Sequence, residues 1–588
     1  MQSIQIDLSR DSLFDAPGLR RLKDSYMLPT ESSPQERFAF VARAFQSNPE
    51  HGQRMYDYVS RHWVSFSTPI LSYGRAKHGL PISCYLVCLP DTSEGLLDTL
   101  RVVNRLSMLG GGVGVSVNLR PADSRSSGVM PHMKTYDSCA LAYQQDEIRR
   151  GSSAMFLRID HPEIHSFIDM RKTTGDPNIR CHNLHHAVVI TDEFMNLIER
   201  CLQSLDVNDS WPLIDPHTKR VVRVVSAKEL WEKLLDVRKK TGEPYLCFID
   251  TCNRDMYPFQ KERGRVFQQS NLCSEIVLFT DPDNIAVCCL SSLNLSKYDD
   301  WKHNQTFIDD FTEFLDNALE VFISRAPADI AKARATAINE RSIGIGAMGF
   351  HDYLQQRAVD IESAKAREVN IDVFSNIRRM VDAANYRLGA QRGVPNELVG
   401  TGRRFCCTMA IAPTASTSII MGNTSPSIEP YRANAYRQDT LSGTHLSKNR
   451  NLDAILRARF DSDTVERIWH NILMNSGSVS HLPDSILTPT ERSLFKTAFE
   501  IDQMCLVRLA ADRQRYIDQA QSLNLFLLPT VDVAQLHRLH YMAWKLGLKT
   551  LYYLRSTKTV ETDKLGEQSL LPVPMACRRG DGECLACQ

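Results

Sequence analysis

The sequence predicts an α/β fold with mostly parallel strands, on three observations. Short apolar runs alternate with amphipathic helical stretches along the chain. The C-terminal part contains a strand–helix–strand unit with its own start and stop signals. With 588 residues at 43% hydrophobic content, the chain has the apolar material for a large core, and by length it could hold several domains.

The elements follow in order. "SSPQERFAFVARAF" opens a helix, with Ser33 as N-cap, Pro34 at the first helical position and Glu36 completing a capping box. "HHAVVIT", "YLCFID", "IAVCCLSSLNL" and "FCCTMAIAP" read as strands. Residues 228–240, 310–325 and 363–390 read as amphipathic helices. "LTPTERSLFKTAFEIDQM" repeats the helix-start device with Thr488, Pro489 and Glu491. Strand "LNLFLLP" is then followed by Asp532 as cap, helix "VAQLHRLHYMAWKL", Gly547 as stop and strand "LKTLYYL". After about residue 560 the periodicity ends, and "LLPVPMACRRGDGECLACQ" reads as a mobile tail.

Composition excludes several function classes. Lys+Arg and Asp+Glu both number 69, so no net basic field points to nucleic acid. The N-terminus has no basic and apolar signal pattern, and no apolar run approaches membrane-spanning length. A cytoplasmic protein is expected. The 16 cysteines are scattered, with no compact framework, which argues against structural disulfides.

Five stretches are candidates for chemistry. "GIGAMG" at 344–349 matches a dinucleotide fingerprint, but a charged helical pattern precedes it where a strand is required. It reads as a Gly-rich connection before helix "FHDYLQQ". "CLAC" on the tail reads as a redox pair, since neighbouring thiols attack and resolve a mixed disulfide. A zinc half-site would need further ligands, and Cys577 is the only obvious one. In "QSNLCSEI", Asn271, Cys273 and Glu275 are spaced by two, so an extended segment would turn all three to one side. A thiol flanked by an amide and a carboxylate suits a sulfur centre with a base. "APTASTS" at 412–418 offers hydroxyls and N–H groups at a helix start, which is either an anion site or an ordinary N-cap. Tyr552 and Tyr553 adjoin in "LYYL", where packing is the plain reading.

Together these pieces resemble the large (α) subunit of class I ribonucleotide reductases. "STPIL…PISC", "GGGVG", "NLCSE", "AVCCLSSLNL", "GIGAMGF", "APTASTS…SIEP", "KTLYY" and the cysteine tail occur in the family's order, from about residue 60 to the end. The resemblance implies a ten-stranded α/β barrel of two five-stranded halves with a central finger loop. It implies a helical N-terminal region over 1–60, a catalytic barrel over 61–565 and a redox tail over 566–588. By resemblance, Cys273 becomes the thiyl radical, Glu275 takes the 3′-hydroxyl proton, and Asn271 hydrogen-bonds the sugar or Glu275. Cys84 and Cys288 supply the reducing equivalents and end as a disulfide. The motif C-x-L-S-x-x-N-L selects Cys288 over Cys289. Cys584 and Cys587 re-reduce that disulfide and pass the electrons to thioredoxin or glutaredoxin. Substrate diphosphate sits on Pro413, Thr414, Ala415, Ser416, Thr417 and Ser418, with Thr68, Ser83 and Gly112 nearby. Tyr552 and Tyr553 relay a radical from a ferritin-like β subunit, so this chain needs no permanently bound cofactor. Asp91 and Arg120, with a loop near Arg149 and Arg150, form an effector site for dNTP or ATP with Mg, near a homodimer interface.

The chain is short for the resemblance, with some 60 residues before "STPIL", so no ATP-cone and no overall dATP shut-off are expected. An adenosylcobalamin-dependent class II enzyme is the rival within the family; the tyrosine pair favours class I. A nicotinamide oxidoreductase rests on "GIGAMG" alone. A thiol- or zinc-binding protein leaves "NLCSE" unexplained.

Overall fold

The computed structural model describes residues 4–76, 79–145, 149–204, 206–440 and 443–556; within 144–150 and 437–446 it describes the backbone alone. Five parallel strands form the first half of a ring: β1 (Cys84–Leu89), β2 (Gly112–Val117), β3 (Ser153–Arg158), β4 (His185–Ile190) and β5 (Tyr245–Phe248). They are buried almost throughout, which is why they read as unbroken apolar runs without alternation. The strand pattern foresaw β4 and β5 but not β1, β2 and β3.

The second half starts with β6 (Ala286–Asn294) and β7 (Ile343–Met348), again parallel. β7 corrects the reading of "GIGAMG" as a connection. Its residues are a buried strand, and only Gly349, at φ 79°, turns the chain into helix Phe350–Gln356. The row continues through single parallel bridges, Ile345 to Met409 and Ile411 to Gln521. "FCCTMAIAP" is therefore not the continuous strand expected. The Asp518 carboxylate accepts from Thr408 N and Met409 N at 2.9 and 2.8 Å, replacing ladder partners. Beyond it, β8 (Leu525–Leu527) pairs in parallel with β10 (Leu554–Ser556). Between them helix Val533–Lys545 runs from the Asp532 cap, completing the expected β-α-β unit.

Two antiparallel seams close the ring. At one, β6 lies against β1 with Cys288 directly opposite Cys84. At the other, β9 (Thr550–Leu551) lies against β5, and the same segment then crosses to β8 as β10. The expected strand "KTLYYL" is thus split, and Tyr552–Tyr553 occupy the handover. Five strands in the first half and five segments in the second make the ten-stranded barrel.

The loop at 268–280 threads this ring. Gln269 Nε2 donates to Val87 O of β1 at 3.2 Å, and Ala520 N donates to Glu275 O at 2.9 Å from the second half. Its passage needs bare backbone in β2. A Cβ on Gly114 would stand 2.0 Å from Ser270 O, and one on Gly112 would stand 2.7 Å from Leu272 Cδ2.

Helices Ala16–Ser25, Pro34–Ala44 and Pro49–Ser60 lie ahead of the barrel, followed by Val64–Phe66, which pairs antiparallel with β6. The Thr488 capping box forms as expected. The one at Ser33 is shifted: Glu36 accepts from Ser32 N at 2.7 Å, and Ser33 Oγ caps Gln35 N instead.

Candidate active site

The three residues of the "NLCSE" stretch meet through a tight turn, not through an extended segment. Ser274 N donates to Asn271 O at 3.2 Å, and Ser274 takes φ 66°. Cys273 sits in this turn at the centre of the barrel, 3% exposed. Asn271 is the brace: its Oδ1 accepts from Glu275 N and Ile276 N, both at 3.0 Å. Its Nδ2 donates to Cys84 Sγ at 3.1 Å. The Cys84 thiol also faces Glu275 Oε1 at 3.8 Å.

Cys288 is reached through the seam. Residues directly opposite in antiparallel strands hold their Cα atoms about 4.5–5.5 Å apart, within the span of a disulfide. Cys84 and Cys288 hold that relation and share one buried cluster. Burial first, and Cys84 second, push the Cys288 thiol well above its ordinary pKa, so it stays protonated at neutral pH. Cys289 points to the opposite face, into the outer core, with its thiol 3.8 Å from Pro81 O.

Gly112 lies beside Cys84 on the other flank, and its N–H donates to Ser83 O at 2.7 Å. The hydroxyl of Ser83 is buried with no hydrogen-bond partner among the described residues. Ser522 links the turn to the next loop. Its Oγ lies 2.5 Å from Cys273 O and 3.1 Å from Glu275 Oε2, two acceptors within reach of its one proton, while its N–H donates to Ile411 O at 2.9 Å. Two residues beyond Ile411 begin Pro413, Thr414 (φ 49°), Ala415, Ser416, Thr417 and Ser418. The helix that starts there, Thr417–Ile420, is a single turn. Thr68 opens helix Thr68–Leu71, with Tyr26 OH 3.2 Å from its Oγ1.

On the other seam, the Tyr552 and Tyr553 rings lie 4.4 Å apart, buried in one cluster with Cys273 and Tyr245. Tyr245 packs on both, at 4.7 and 5.0 Å. His185 Nδ1 lies 3.4 Å from Tyr553 OH, 3.1 Å from Tyr245 OH and 2.8 Å from Glu243 Oε1. Burial would raise the Glu243 pKa, but Arg171 and His185 outweigh it and hold the carboxyl well below its usual range.

A model of the ribonucleotide reductase barrel domain matches residues 82–398 and 391–554, and one of the all-alpha domain matches 12–79. The chain belongs to the ribonucleotide reductase large-subunit family. Among relatives, the "Ribonucleoside-diphosphate reductase large subunit" of Invertebrate iridescent virus 3 is 46% identical over the full length of both chains. That of Invertebrate iridescent virus 6 is 36% identical over 97% of this chain and 95% of the relative. Among solved structures, the class Id ribonucleotide reductase alpha subunit of Actinobacillus ureae superposes with a TM-score of 0.82 at 30% identity, covering 94% of this chain and 98% of that one.

In this reductase chain, Asp91 and Arg120 meet outside the barrel, with Arg120 Nε 2.7 Å and His217 Nε2 3.0 Å from Asp91 Oδ2. Asp91 and Arg120 follow the C-terminal ends of β1 and β2, whereas the strand Arg149–Arg150 precedes the N-terminal end of β3. The two groups therefore stand at opposite ends of parallel strands, and the Arg150 side chain lies outside the described residues. So do Cys577, Cys584 and Cys587. No described helix is long and apolar enough to cross a membrane. Sequence reasoning missed Ser522, Tyr245, His185 and Glu243. Each acts across a long separation in sequence, and no local pattern marks it.

Proposed function

We propose that this chain is the catalytic subunit that reduces ribonucleoside diphosphates to 2′-deoxyribonucleoside diphosphates by thiyl-radical chemistry. The observation that carries the reading is the convergence on Cys84: Cys288 opposite in register, Asn271 Nδ2 at 3.1 Å and Glu275 Oε1 at 3.8 Å.

The residues divide the work. Cys273, as a thiyl radical, takes the 3′-hydrogen atom of the ribose. Glu275 takes the 3′-hydroxyl proton, which helps expel the 2′-hydroxyl as water. Cys84 and Cys288 give up two electrons and two protons and form a disulfide. Cys273 then returns a hydrogen atom to the 3′ position, so the radical is regenerated and one dithiol is consumed per product. Thr68, Ser83, Gly112 and the loop 413–418 hold the substrate. Cys584 and Cys587 restore the dithiol by exchange and are reduced by a thioredoxin or glutaredoxin.

The radical comes from a separate β subunit through Tyr553 and Tyr552. Their rings are in contact and share a buried cluster with Cys273, as a hopping path requires. Asp91 and Arg120 form part of an effector site on a homodimer, with Arg150 reporting to the substrate. The setting in this reading is cytoplasmic.

The test is CDP reduction by the purified chain with dithiothreitol and a radical-generating subunit. Cys273→Ser abolishes dCDP formation while nucleotide binding survives. Turnover above trace in that variant removes Cys273 from the radical role.

A further inference from the structure

Helix Ala16–Ser25 lies far from the barrel in sequence, yet it forms one wall of the 413–418 loop. The approach is backbone to backbone: a Cβ on Gly18 would meet Ile419 O at 2.8 Å and Ile420 Cα at 3.5 Å. Asp15 fixes the start of this helix by accepting from Gly18 N at 2.8 Å. One turn further along the same face, Arg21 donates from Nε and Nη2 to Ser416 Oγ at 3.2 and 2.6 Å. Just past the helix, Tyr26 reaches Thr68.

We propose that Arg21 is a binding residue for the substrate diphosphate, supplying the fixed positive charge that the 413–418 loop does not contain. The proposal rests on reading that loop as the diphosphate site. Residues 413–418 carry hydroxyls and amides but no charge. The helix that begins within them, Thr417–Ile420, has four residues, so few peptide dipoles add up there. A diphosphate carries several negative charges, and burying them without a cation is costly. A guanidinium has a planar fork of donors that matches phosphate oxygens. Arg21 is already docked on Ser416, which is fully buried. A second observation marks the same place as polar and ligand-ready. Ser427 N donates to Thr414 Oγ1 at 2.7 Å, and the buried Ser427 Oγ has no hydrogen-bond partner among the described residues. The all-helical segment is then part of the substrate site, not only a cover for the barrel.

The experiment measures CDP, CMP and cytidine binding to the full chain by equilibrium dialysis, for wild type, Arg21→Gln and Arg21→Lys. Arg20→Gln, one residue away and ion-paired with Asp24, is the control. Losing a charge-assisted contact weakens CDP binding about tenfold to hundredfold in Arg21→Gln. CMP should weaken less and cytidine hardly at all, with partial recovery in Arg21→Lys. Unchanged CDP affinity in Arg21→Gln overturns the proposal, and so does an equal loss for all three ligands, which means that Arg21 only braces the loop. If Arg21→Gln does not fold, the same CDP-to-CMP ratio is read on Arg21→Ala, and a ratio equal to wild type overturns it. Absence of CDP binding by the wild type strikes the diphosphate reading of the loop instead.

Discussion

Asn271 joins Glu275 to Cys84: its amide nitrogen lies 3.1 Å from Cys84 Sγ, and its amide oxygen takes the N–H groups of Glu275 and Ile276, both at 3.0 Å. One side chain thus sets the Glu275 carboxylate, the base of the proposed mechanism, against the thiol of Cys84. Asn271→Ala leaves two buried N–H groups unpaired, at about 1–3 kcal/mol each. Thermal unfolding should shift down, and turnover should fall by about a hundredfold or more as the base loses its place.

The seam register makes a prediction about which thiols couple. After one turnover without external reductant, peptide mapping should find Cys84 linked to Cys288. Cys289→Ala should leave that crosslink intact, because its thiol faces the outer core. A Cys84–Cys289 crosslink would contradict the register.

The finger loop needs Gly114 more than Gly112. An added methyl at 114 meets backbone, Ser270 O at 2.0 Å, whereas at 112 it meets the movable end of Leu272 at 2.7 Å. Both substitutions overpack the barrel, at about 1–3 kcal/mol. Gly114→Ala should cost the more stability and most of the turnover, since it displaces the turn that carries Cys273. Equal melting temperatures for the two variants would count against the threading.

Glu243 gives a pH signature. Its carboxyl is held well below the ordinary value of 4.5 when folded. The folded state therefore binds fewer protons there than the unfolded chain. The stability it contributes is present above about pH 4.5 and is lost as pH falls towards the folded value. Glu243→Gln should be less stable than wild type at neutral pH, with a shallower loss on acidification below pH 4.5. Parallel curves would show that Glu243 does not carry the linkage.

Cys584 and Cys587 test the tail. Changing both to Ser should limit the enzyme to about one turnover with thioredoxin and leave it active with dithiothreitol, which reaches the buried disulfide directly. Full thioredoxin-driven turnover would rule out the shuttle.

Much of this was legible because chemistry leaves short local marks. Asn271, Cys273 and Glu275 stand together in sequence, and so do Tyr552 and Tyr553. Their geometry was not legible, since spacing by two suggests a strand and the chain makes a turn with Ser274 at φ 66°. β7 was hidden because a strand buried on both faces has no alternation, and its glycines argue against a strand. "FCCTMAIAP" looked like a strand until Asp518, more than 100 residues on, took its N–H groups. Arg21 on Ser416 spans 395 residues, and nothing local to either residue announces it.

The most direct test of the central claim is conversion of CDP to dCDP by the purified chain with dithiothreitol in two arms. One arm adds a ferritin-like radical-generating subunit from the same genome, and the other adds adenosylcobalamin. Turnover with the subunit alone, abolished by Tyr553→Phe, is the predicted result. Turnover with adenosylcobalamin alone, unaffected by Tyr553→Phe, would contradict the account and make the tyrosine contact ordinary packing.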